Sequence, residues 1–408
     1  MDEVIAAVDD ARNRGLRVRM VGTGHSFTDI ALTDGILLDP TLLRGPVQVD
    51  ADAMTVTVRA GTTLHDLNQE LADAGYALTN VGDVDVQTAA GAISTGTHGT
   101  GRASASLSAQ VRALELVLAN GSLAACSREE HPDLFRAAAV GLGAFGIIVA
   151  ITFGIEEAFL LSARQEPMSL DTVLEEFDAL AAGNEHFEFF WFPHTDQTLT
   201  KRNNRSAGPA KPLSRSRAWI DDEFLSNTVF ALLNRVGRAA PRFVPRLNRI
   251  SSRALTARSY TDVSHAVFAS RREVRFVEME YALPRTAAVT ALREVRALMA
   301  ASPWRISFPI MVRVAPADDL WLSTAYDRDS VYLAFHCFDR TPYEGYFGAV
   351  EAIALAYGGR PHWGKLHSRS AADLAGAYPR WDDVRRVRDE VDPERRFGNA
   401  YLARVLGS

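Results

Sequence analysis

Lysine and cysteine are scarce in this 408-residue sequence. Lysine stands only at positions 201, 211 and 365, so 41 of the 44 basic residues are arginine. The two cysteines, Cys126 and Cys337, are too few for a disulfide framework, and neither belongs to a CxxC motif or to a Cys/His cluster. The sequence therefore argues against a disulfide-stapled domain and against a structural zinc site.

A long apolar run is also missing. The longest one, residues 144–155, is interrupted by Gly146 and falls short of the roughly 20 residues that cross a bilayer. Residues 1–14 begin with two acids and have no continuous apolar core, so they predict an amphipathic helix ending at Gly15 and not a signal peptide. With 47% hydrophobic and 23% charged residues the chain is typical of a folded globular protein, and we expect a cytoplasmic location.

Charge is unevenly distributed along the chain. Residues 201–258 contain 13 basic and three acidic residues, a local charge of +10 in a chain whose net charge is −6. Such a block is suited to an anionic membrane surface or an acidic protein, although the solvated face of a helical insertion shows the same pattern. No nucleic-acid-reading motif accompanies the block, so we expect no nucleic-acid partner.

Turn residues and hydrophobic periodicity divide residues 1–155 into short strands with glycine-rich connections. The pattern predicts a helix over 63–74 with Thr62 as its N-cap, a hairpin that turns at Asn120-Gly121, and another helix that opens at His131-Pro132. Strands are predicted at 17–22, 35–39, 47–49, 55–59, 111–118, 123–125 and 146–155. These features indicate a small α+β unit.

Longer elements follow from Ser169 onward. Helices are predicted near 169–182 and 285–300, and strands near 186–192, 272–283, 305–314 and 329–336. The basic block carries several prolines and is predicted to leave this second sheet as an irregular or helical excursion. The sequence thus predicts an α+β fold divided into residues 1–155, 156–350 and 351–408, the last being a tail rich in glycine and aromatic residues.

Glycine and histidine occur together in the segments 21–27, 91–101 and 361–365. Glycines let the main chain approach a ligand closely, and unpaired backbone N–H groups in such turns form an anion site that suits a pyrophosphate. Two such loops in the first unit favour a dinucleotide. A Rossmann fingerprint is excluded because Phe27 stands where the third glycine belongs, and a P-loop is excluded because no GxxxxG precedes Lys365.

Four histidines lie in or beside these segments: His25, His98, His362 and His367. Their spacings match neither HExxH nor a helical i, i+4 pair, and no neighbouring carboxylate completes a ligand set. We therefore predict no metal site. For each of these histidines, the alternative to a functional role is that of a hydrogen-bonded loop residue.

Five segments spread over the whole chain are specific in combination: VGTGHSFTDIALTDGILLD (21–39), GDVDVQTAAGAISTGTHGTG (82–101), HPDLFRAAAVGLGAFGIIVAITF (131–153), RPHWGK (360–365) and DPERRFGNAYL (392–402). Together they resemble the FAD-dependent aldonolactone oxidase and alditol oxidase branch of the vanillyl-alcohol oxidase superfamily, and above all its bacterial members that act on L-gulono-1,4-lactone. The resemblance implies a two-domain vanillyl-alcohol-oxidase-type flavoprotein. It places a PCMH-type FAD domain in 1–155, an α+β substrate (cap) domain in 156–350, and a tail at 351–408 that returns to the flavin.

The resemblance also implies that FAD is bonded covalently, through its 8α-methyl carbon, to His25 of the GHS motif. A neutral imidazole is a competent nucleophile toward the electrophilic methide tautomer of the flavin, and the neighbouring glycines give the ring access. Further cofactor contacts are implied at Gly22, Thr23, Gly24, Ser26, Gly82, Gly91, Ser94, Thr95, Thr97, His98 and Gly99.

Relatives carry a Glu-x-Arg pair on a strand over the flavin and a lysine in an HWxK segment, which the resemblance transfers to Arg313 and Lys365 as catalytic and substrate-binding residues. Met311 occupies the glutamate position. Because residues two apart on a strand face the same way, we expect Met311 and Arg313 both to face the substrate. The thioether removes a hydrogen-bond acceptor and candidate base. His336, on the next predicted strand, is expected to replace it, with a packing role as the alternative.

The implied reaction is hydride transfer from a carbinol carbon to flavin N5, with L-gulono-1,4-lactone or a similar aldono-1,4-lactone as substrate. An alditol (polyol) oxidase that produces H2O2 is the alternative within the family, and a catalytically impaired flavin- or sugar-binding protein is the alternative outside it. Gly82, the small residue ahead of the QT segment, permits O2 as electron acceptor. A quinone or an acidic cytochrome is the other acceptor considered, and residues 201–258 are the expected surface for such a partner or for peripheral membrane contact.

Overall fold

The computed structural model describes residues 1–270 and 273–408, and at 221–223 and 226 it describes the backbone only. The α-helices are α1 (Asp2–Arg14), α2 (Leu64–Asp73), α3 (Ala89–Ser94), α4 (Pro132–Ala138), α5 (Leu170–Glu175), α6 (Phe177–Ala182), α7 (Arg215–Ala218), α8 (Phe230–Ala239), α9 (Val244–Arg253), α10 (Ser264–Phe268), α11 (Ala288–Ala301), α12 (Glu344–Ala356), α13 (Ala371–Ala375), α14 (Trp381–Val391) and α15 (Ala400–Leu406). A π-helical segment, Trp219–Val229, joins α7 to α8.

The strands are β1 (Val18–Met20), β2 (Ile36–Leu38), β3 (Gln48–Asp50), β4 (Thr55–Arg59), β5 (Tyr76–Ala77), β6 (Val111–Val117), β7 (Leu123–Ser127), β8 (Ile147–Gly154), β9 (Glu156–Glu157), β10 (Leu160–Ser169), β11 (His186–Trp191), β12 (Gln197–Ser206), β13 (Arg258–Val263), β14 (Phe276–Pro284), β15 (Ile310–Ala315), β16 (Ser330–Phe338) and β17 (Arg360–Pro361). The predicted mixture of helix and strand is confirmed.

A five-stranded antiparallel sheet, in the order β3-β4-β8-β6-β7, forms the centre of the N-terminal part. β8 lies in the middle because it is apolar on both faces, as its sequence predicts. Thr63 caps α2, since its Oγ1 accepts the Asp66 N–H at 3.1 Å. The cap predicted at Thr62 is therefore one residue early; Thr62 still belongs to the extended connection, where its carbonyl accepts from Ala89 N at 2.8 Å.

A second, eight-stranded antiparallel sheet follows, in the order β13-β10-β12-β11-β15-β16-β14-β17. Alternate residues of its central strands point into an apolar core, which α5, α6, α11 and α12 cover. The other face lies against the N-terminal part. There Gly101 N donates to Val314 O at 2.8 Å, and the Thr100 hydroxyl donates to Phe187 O at 2.5 Å. These bonds dock the second glycine-rich loop on the sheet.

The C-terminal helices return to the N-terminal part and share its apolar core, to which Trp381 and Tyr401 contribute. Asn399 anchors this return, because its side-chain amide donates to the carbonyls of Asp29, Ile30 and Leu32. β17 pairs with the edge of β14 and thereby brings the 360–365 segment to the second sheet. Across the described residues, every helix is too short or too polar to cross a membrane.

Several predicted elements differ in detail. The helix predicted over 169–182 is broken at Glu176 into α5 and α6, so that Leu174 and Phe177 both reach the same core. The strand predicted from 305 starts at Ile310, after Pro309, which has no N–H to donate to a ladder. Residues 201–206 extend β12, and only the rest of the basic block leaves the sheet. Residue 272, the predicted start of another strand, lies outside the described residues.

Candidate active site

The two predicted glycine-rich loops of the N-terminal part meet around a cavity of about 280 Å³. Among the predicted cofactor contacts, those that line it are Gly22, Thr23, Gly24, His25, Ser26, Gly91, Ser94 and Thr95. Gly82, Thr97, His98 and Gly99 lie outside that lining. Sequence patterns thus identified these two walls of the cavity although their residues are about 70 positions apart, whereas Leu142, Gly143 and residues 146–148, which also line it, were not predicted as cofactor contacts.

Glycine is required where the loops approach each other. A Cβ at Gly22 would lie 2.4 Å from Oγ1 of Thr88, and a Cβ at Gly91 would lie 2.9 Å from the same atom. That hydroxyl oxygen is already engaged, since it accepts the Gly91 N–H at 3.2 Å and so caps α3. The groove therefore has the bare main-chain walls that a pyrophosphate-bearing ligand needs.

His25 lies on the exposed rim of this cavity. Partial burial, together with the charge of Lys365, lowers the pKa of its imidazole, which favours the neutral, nucleophilic form. The loop of His25 is tied to the 360–365 segment: Phe27 N donates to Gly364 O at 2.7 Å, and Nζ of Lys365 lies 5.2 Å from the centroid of the Phe27 ring. The structure thus brings His25 and Lys365 into one neighbourhood.

The sheet face above these loops is polar although it is buried. Strand register places Glu188, Arg313 and Tyr332 side by side on β11, β15 and β16, and it places His336 beside Glu278 on β16 and β14. Because side chains two apart share a face, these residues and Glu280 all belong to the side that meets the N-terminal part. Buried charges in this number require partners, and a basic side chain lies beside each of the three carboxylates, although Oε1 of Glu280 makes no hydrogen bond within the described residues.

Glu188 is held by two cations. Its carboxylate accepts from Nε of Arg313 at 2.7 Å and from Nζ of Lys201 at 3.0 Å. Burial alone would raise the pKa of Glu188, but the charges of Lys201 and Arg313 outweigh burial and lower it to about 2. Arg313 also lies 3.2 Å from Oδ1 of Asp83, so this guanidinium is fixed from two sides.

Glu278 is paired with the Nζ ammonium of Lys365. Nε2 of His336 lies 3.4 Å from the other carboxylate oxygen, and Nδ1 of the same ring donates to Pro309 O at 3.1 Å. Burial acts to raise the pKa of Glu278, yet the charges of Lys365 and His336 lower it overall. The same pairing raises the pKa of Lys365 against the opposing effect of burial.

Glu280 completes a third buried group. Nε2 of His98 lies 3.1 Å from its Oε1, and the His98 ring stacks on Tyr332 with centroids 3.7 Å apart. His98, Glu280 and His362 bring potential ligand atoms within 4.8 Å of one another, a grouping that histidine spacing alone did not predict. Gly364 N donates to Nδ1 of His362, however, which leaves the proton of the neutral ring on Nε2. The arrangement therefore favours a hydrogen-bonded network over a metal centre.

Met311 and His336 occupy the expected face in different ways. Met311 is 7% exposed and pairs with Phe190 and Ala334 on the neighbouring strands. His336 directs both ring nitrogens at protein oxygens.

The sequence prediction missed the carboxylates Glu188, Glu278 and Glu280. Their signal was present, since each is a charge at an alternate position of a predicted buried strand.

Comparison with known proteins identifies the family. Residues 151–405 match the family described as D-arabinono-1,4-lactone oxidase, and residues 1–127 match the FAD binding domain. The chain is 43% identical to the L-gulono-1,4-lactone dehydrogenase of Mycobacterium tuberculosis over 99% of its own length and 94% of that protein. It is also 33% identical to the L-gulonolactone oxidase of Bos taurus, over 100% and 93% of the two lengths. This chain belongs to the D-arabinono-1,4-lactone oxidase family.

Members of the D-arabinono-1,4-lactone oxidase family are FAD-dependent oxidoreductases, and this chain carries the FAD-binding domain. A solved structure of cholesterol oxidase from Brevibacterium sterolicum has the same fold, with a TM-score of 0.84 at 18% identity over 99% of this chain and 92% of that one. The cradle at Gly22 and Gly91 fits FAD, because bare main chain there lets a pyrophosphate approach closely, whereas a Cβ at either position would collide with Oγ1 of Thr88.

Proposed function

We propose that this chain oxidises L-gulono-1,4-lactone or a similar aldono-1,4-lactone at a carbinol carbon, with FAD bonded covalently to His25. The observation that carries the proposal is the contact between the His25 loop, which lines the glycine-walled cavity, and the 360–365 segment, which places Lys365 over the ring of Phe27. The names of the relatives supply the substrate class.

The chain's own residues have separable tasks in this proposal. The cavity residues named above hold the FAD, which when bound supplies the two-electron acceptor. Lys365 and Arg313 orient the lactone oxygens and stabilise negative charge near the reacting carbon. We assign Gly82, Thr97, His98 and Gly99 to supporting the second loop behind the cavity wall: a Cβ at Gly82 would lie 3.3 Å from Cγ2 of Thr97. We assign Met311 to the substrate wall.

The proposal is tested by one experiment in three steps. The visible spectrum of the purified protein is recorded, the protein is precipitated with acid, and native protein is mixed anaerobically with L-gulono-1,4-lactone. We expect the yellow colour to remain with the pellet and the lactone to bleach native enzyme. His25→Ala should release the flavin into the acid supernatant, while the control His65→Ala, a change at another half-exposed histidine, should keep it.

A separate experiment identifies the electron acceptor. Reduced enzyme is mixed with O2 or with oxidised cytochrome, and H2O2 and cytochrome reduction are followed. Rapid release of H2O2 favours the oxidase form that Gly82 permits, and cytochrome reduction without H2O2 favours a dehydrogenase. Bleaching by a polyol and not by the lactone identifies an alditol oxidase. A flavin that neither alcohol bleaches identifies the impaired flavin- or sugar-binding protein that Met311 suggests, and it contradicts the proposal.

We further propose that the basic block serves as a docking surface, for a quinone-bearing membrane or an acidic cytochrome, in a cytoplasmic protein. The outward faces of α8 and α9 combine exposed apolar and cationic side chains: Leu232, Val236 and Ile250 alternate with Arg235 and Arg249. Such a mixture is typical of interfacial helices at anionic lipid surfaces. Co-sedimentation with anionic vesicles is the corresponding measurement.

A further inference from the structure

Glu278 is the buried carboxylate that is linked to the loop of His25 through Lys365. Its side chain is 4% exposed and accepts from Lys365, whose own side chain keeps 21% exposure. Lys365 in turn lies over the Phe27 ring, two residues from His25. The ion pair of Glu278 and Lys365 therefore joins a buried carboxylate to a partly exposed lysine side chain.

The other glutamates of this face are enclosed. In the described part of the chain, Glu188 is occupied by Arg313, which is 5% exposed, and by Lys201. Glu280 faces the ring of His98, which Tyr332 covers. The side chains of Arg313 and His98 are 6% and 3% exposed and that of Lys201 is 15% exposed, whereas Lys365, the cation of Glu278, is 21% exposed. Glu278 therefore has the most exposed partner of the three carboxylates.

Beside Lys365, neither Met311 of β15 nor His336 of β16 offers a strong hydrogen-bond acceptor that is free. Position 311 holds a buried methionine, whose thioether is a weak acceptor. His336 donates from Nδ1 to Pro309 O and directs Nε2 at Glu278. Among the strands of this sheet face, the carboxylate acceptor beside Lys365 is therefore supplied by β14. A carboxylate offers about four lone-pair sites, so its contacts with Lys365 and His336 leave room for another donor.

We propose that Glu278 is the catalytic carboxylate that accepts the proton of the substrate hydroxyl, and that His336 is its positioning residue; the inference rests on the proposed function. The O–H bond of the substrate breaks and its proton passes to Glu278. The C–H bond breaks and its hydrogen leaves with both bonding electrons to the bound FAD. The carbinol carbon is thereby oxidised to a carbonyl, FAD is reduced by two electrons, and Lys365 stays protonated throughout.

The lowered pKa of Glu278 is compatible with this role. A carboxylate of lowered pKa is a weak base, but a weak base suffices because a carbonyl oxygen that still bears the proton is strongly acidic. The group also remains ionised at neutral pH, so it needs no prior deprotonation. We therefore expect the rate of flavin reduction in wild-type enzyme to be independent of the titration of this carboxylate between about pH 5 and 8.

The test compares anaerobic flavin reduction by L-gulono-1,4-lactone in holoenzyme variants. We expect Glu278→Gln to slow reduction by about 10²-fold or more, and Glu278→Asp to recover part of the rate. The matched control is Glu351→Gln, which removes a carboxylate that is 6% exposed and accepts from Tyr281 Oη in the apolar core on the opposite face of β14, and which should keep the rate. The second readout is the affinity for unreactive lactone analogues, followed through the absorbance of oxidised flavin, which Glu278→Gln should change much less than the rate.

A Glu278→Gln enzyme that reduces its flavin within about threefold of the wild-type rate overturns the proposal. So does an equal loss of rate and analogue affinity, because that outcome indicates a binding or structural role. If wild-type flavin is reduced by a polyol and not by the lactone, the proposed function fails alone, and the same variants are compared with the polyol. If neither alcohol reduces wild-type flavin, both proposals fail.

Discussion

Lys365 has several tasks at the scale of the single residue. Its ammonium compensates Glu278, contributes to the lowered pKa of His25, and lies over the ring of Phe27. Lysine is a compact charge on a flexible stem, so it can serve several neighbours at once. Since the sequence holds only three lysines, this position is easily distinguished by mutation.

Lys365→Met is expected to lower the rate of flavin reduction by roughly 10²-fold or more while FAD stays bound, because a charge that stabilises the transition state is lost and the cavity walls are untouched. Lys211→Met supplies the same chemical change at an exposed lysine and should be silent. Stopped-flow reduction and the flavin spectrum measure the two effects. Unchanged kinetics in Lys365→Met remove this lysine from the mechanism.

At the scale of the element, the cavity depends on the junction of α3 with the first glycine-rich loop. Thr88 is the N-cap of α3, and the same hydroxyl limits the space at Gly22. Oγ1 of Thr88 therefore both caps α3 and limits the width of the groove at Gly22. A side chain at position 22 has to displace Thr88, which both loosens the helix start and narrows the groove.

Gly22→Ala is expected to weaken FAD retention and to lower the free energy of unfolding by about 1 kcal/mol, the usual contribution of a lost N-cap. Gly348→Ala is the matched control. It lies inside α12, where a Cβ would meet no atom within 4 Å, so alanine should raise stability by about 0.5–1 kcal/mol. Flavin content after gel filtration and chemical unfolding of both variants check the contrast. Full flavin content in Gly22→Ala would contradict the cradle.

At the scale of the whole molecule, buried neutral histidines make the fold sensitive to acid. His367 is 9% exposed and sits where the C-terminal helices meet the 360–365 segment: Nδ1 accepts from Arg369 N, and Nε2 contacts Tyr401 Oη at 3.0 Å. Burial and, secondarily, the charge of Arg404 lower its pKa to about 3. Burial and the charge of Arg305 lower the pKa of His194 to about 4.

The free energy of unfolding should fall as the pH drops from 6.5 toward 3. The unfolded chain binds a proton at His367 below about pH 6.5, whereas the folded chain does not until about pH 3, so acid favours unfolding by about 1.4 kcal/mol per pH unit from this residue. His367→Asn keeps an acceptor for Arg369 N and should flatten the slope by that amount, while His131→Asn, at an exposed histidine, should leave it unchanged. Urea unfolding at pH 6, 5 and 4 measures the slopes, and equal slopes in all three proteins would contradict the assignment.

Local signals in the sequence predicted a large part of this molecule. The turn at Asn120-Gly121, the helix stop at Gly15 and the β8 run were all placed correctly, because each depends on neighbouring residues. The two glycine-rich loops were recognised for the same reason. The errors lie where distant contacts decide, as at Glu176, where the shared core of α5 and α6 breaks a helix that periodicity alone extends.

The sequence by itself determined the two α+β parts, the glycine-rich walls of the cavity and the family resemblance, because short-range periodicity and motif spacing carry that information. Only the tertiary structure decided which charges meet. Glu278 and Lys365 are 87 positions apart, and Glu188 and Arg313 are 125 apart, yet each pair forms an ion pair with a buried carboxylate. The register of the eight-stranded sheet and the return of its last strand bring them together, and the cost of burying an unpaired charge keeps them so.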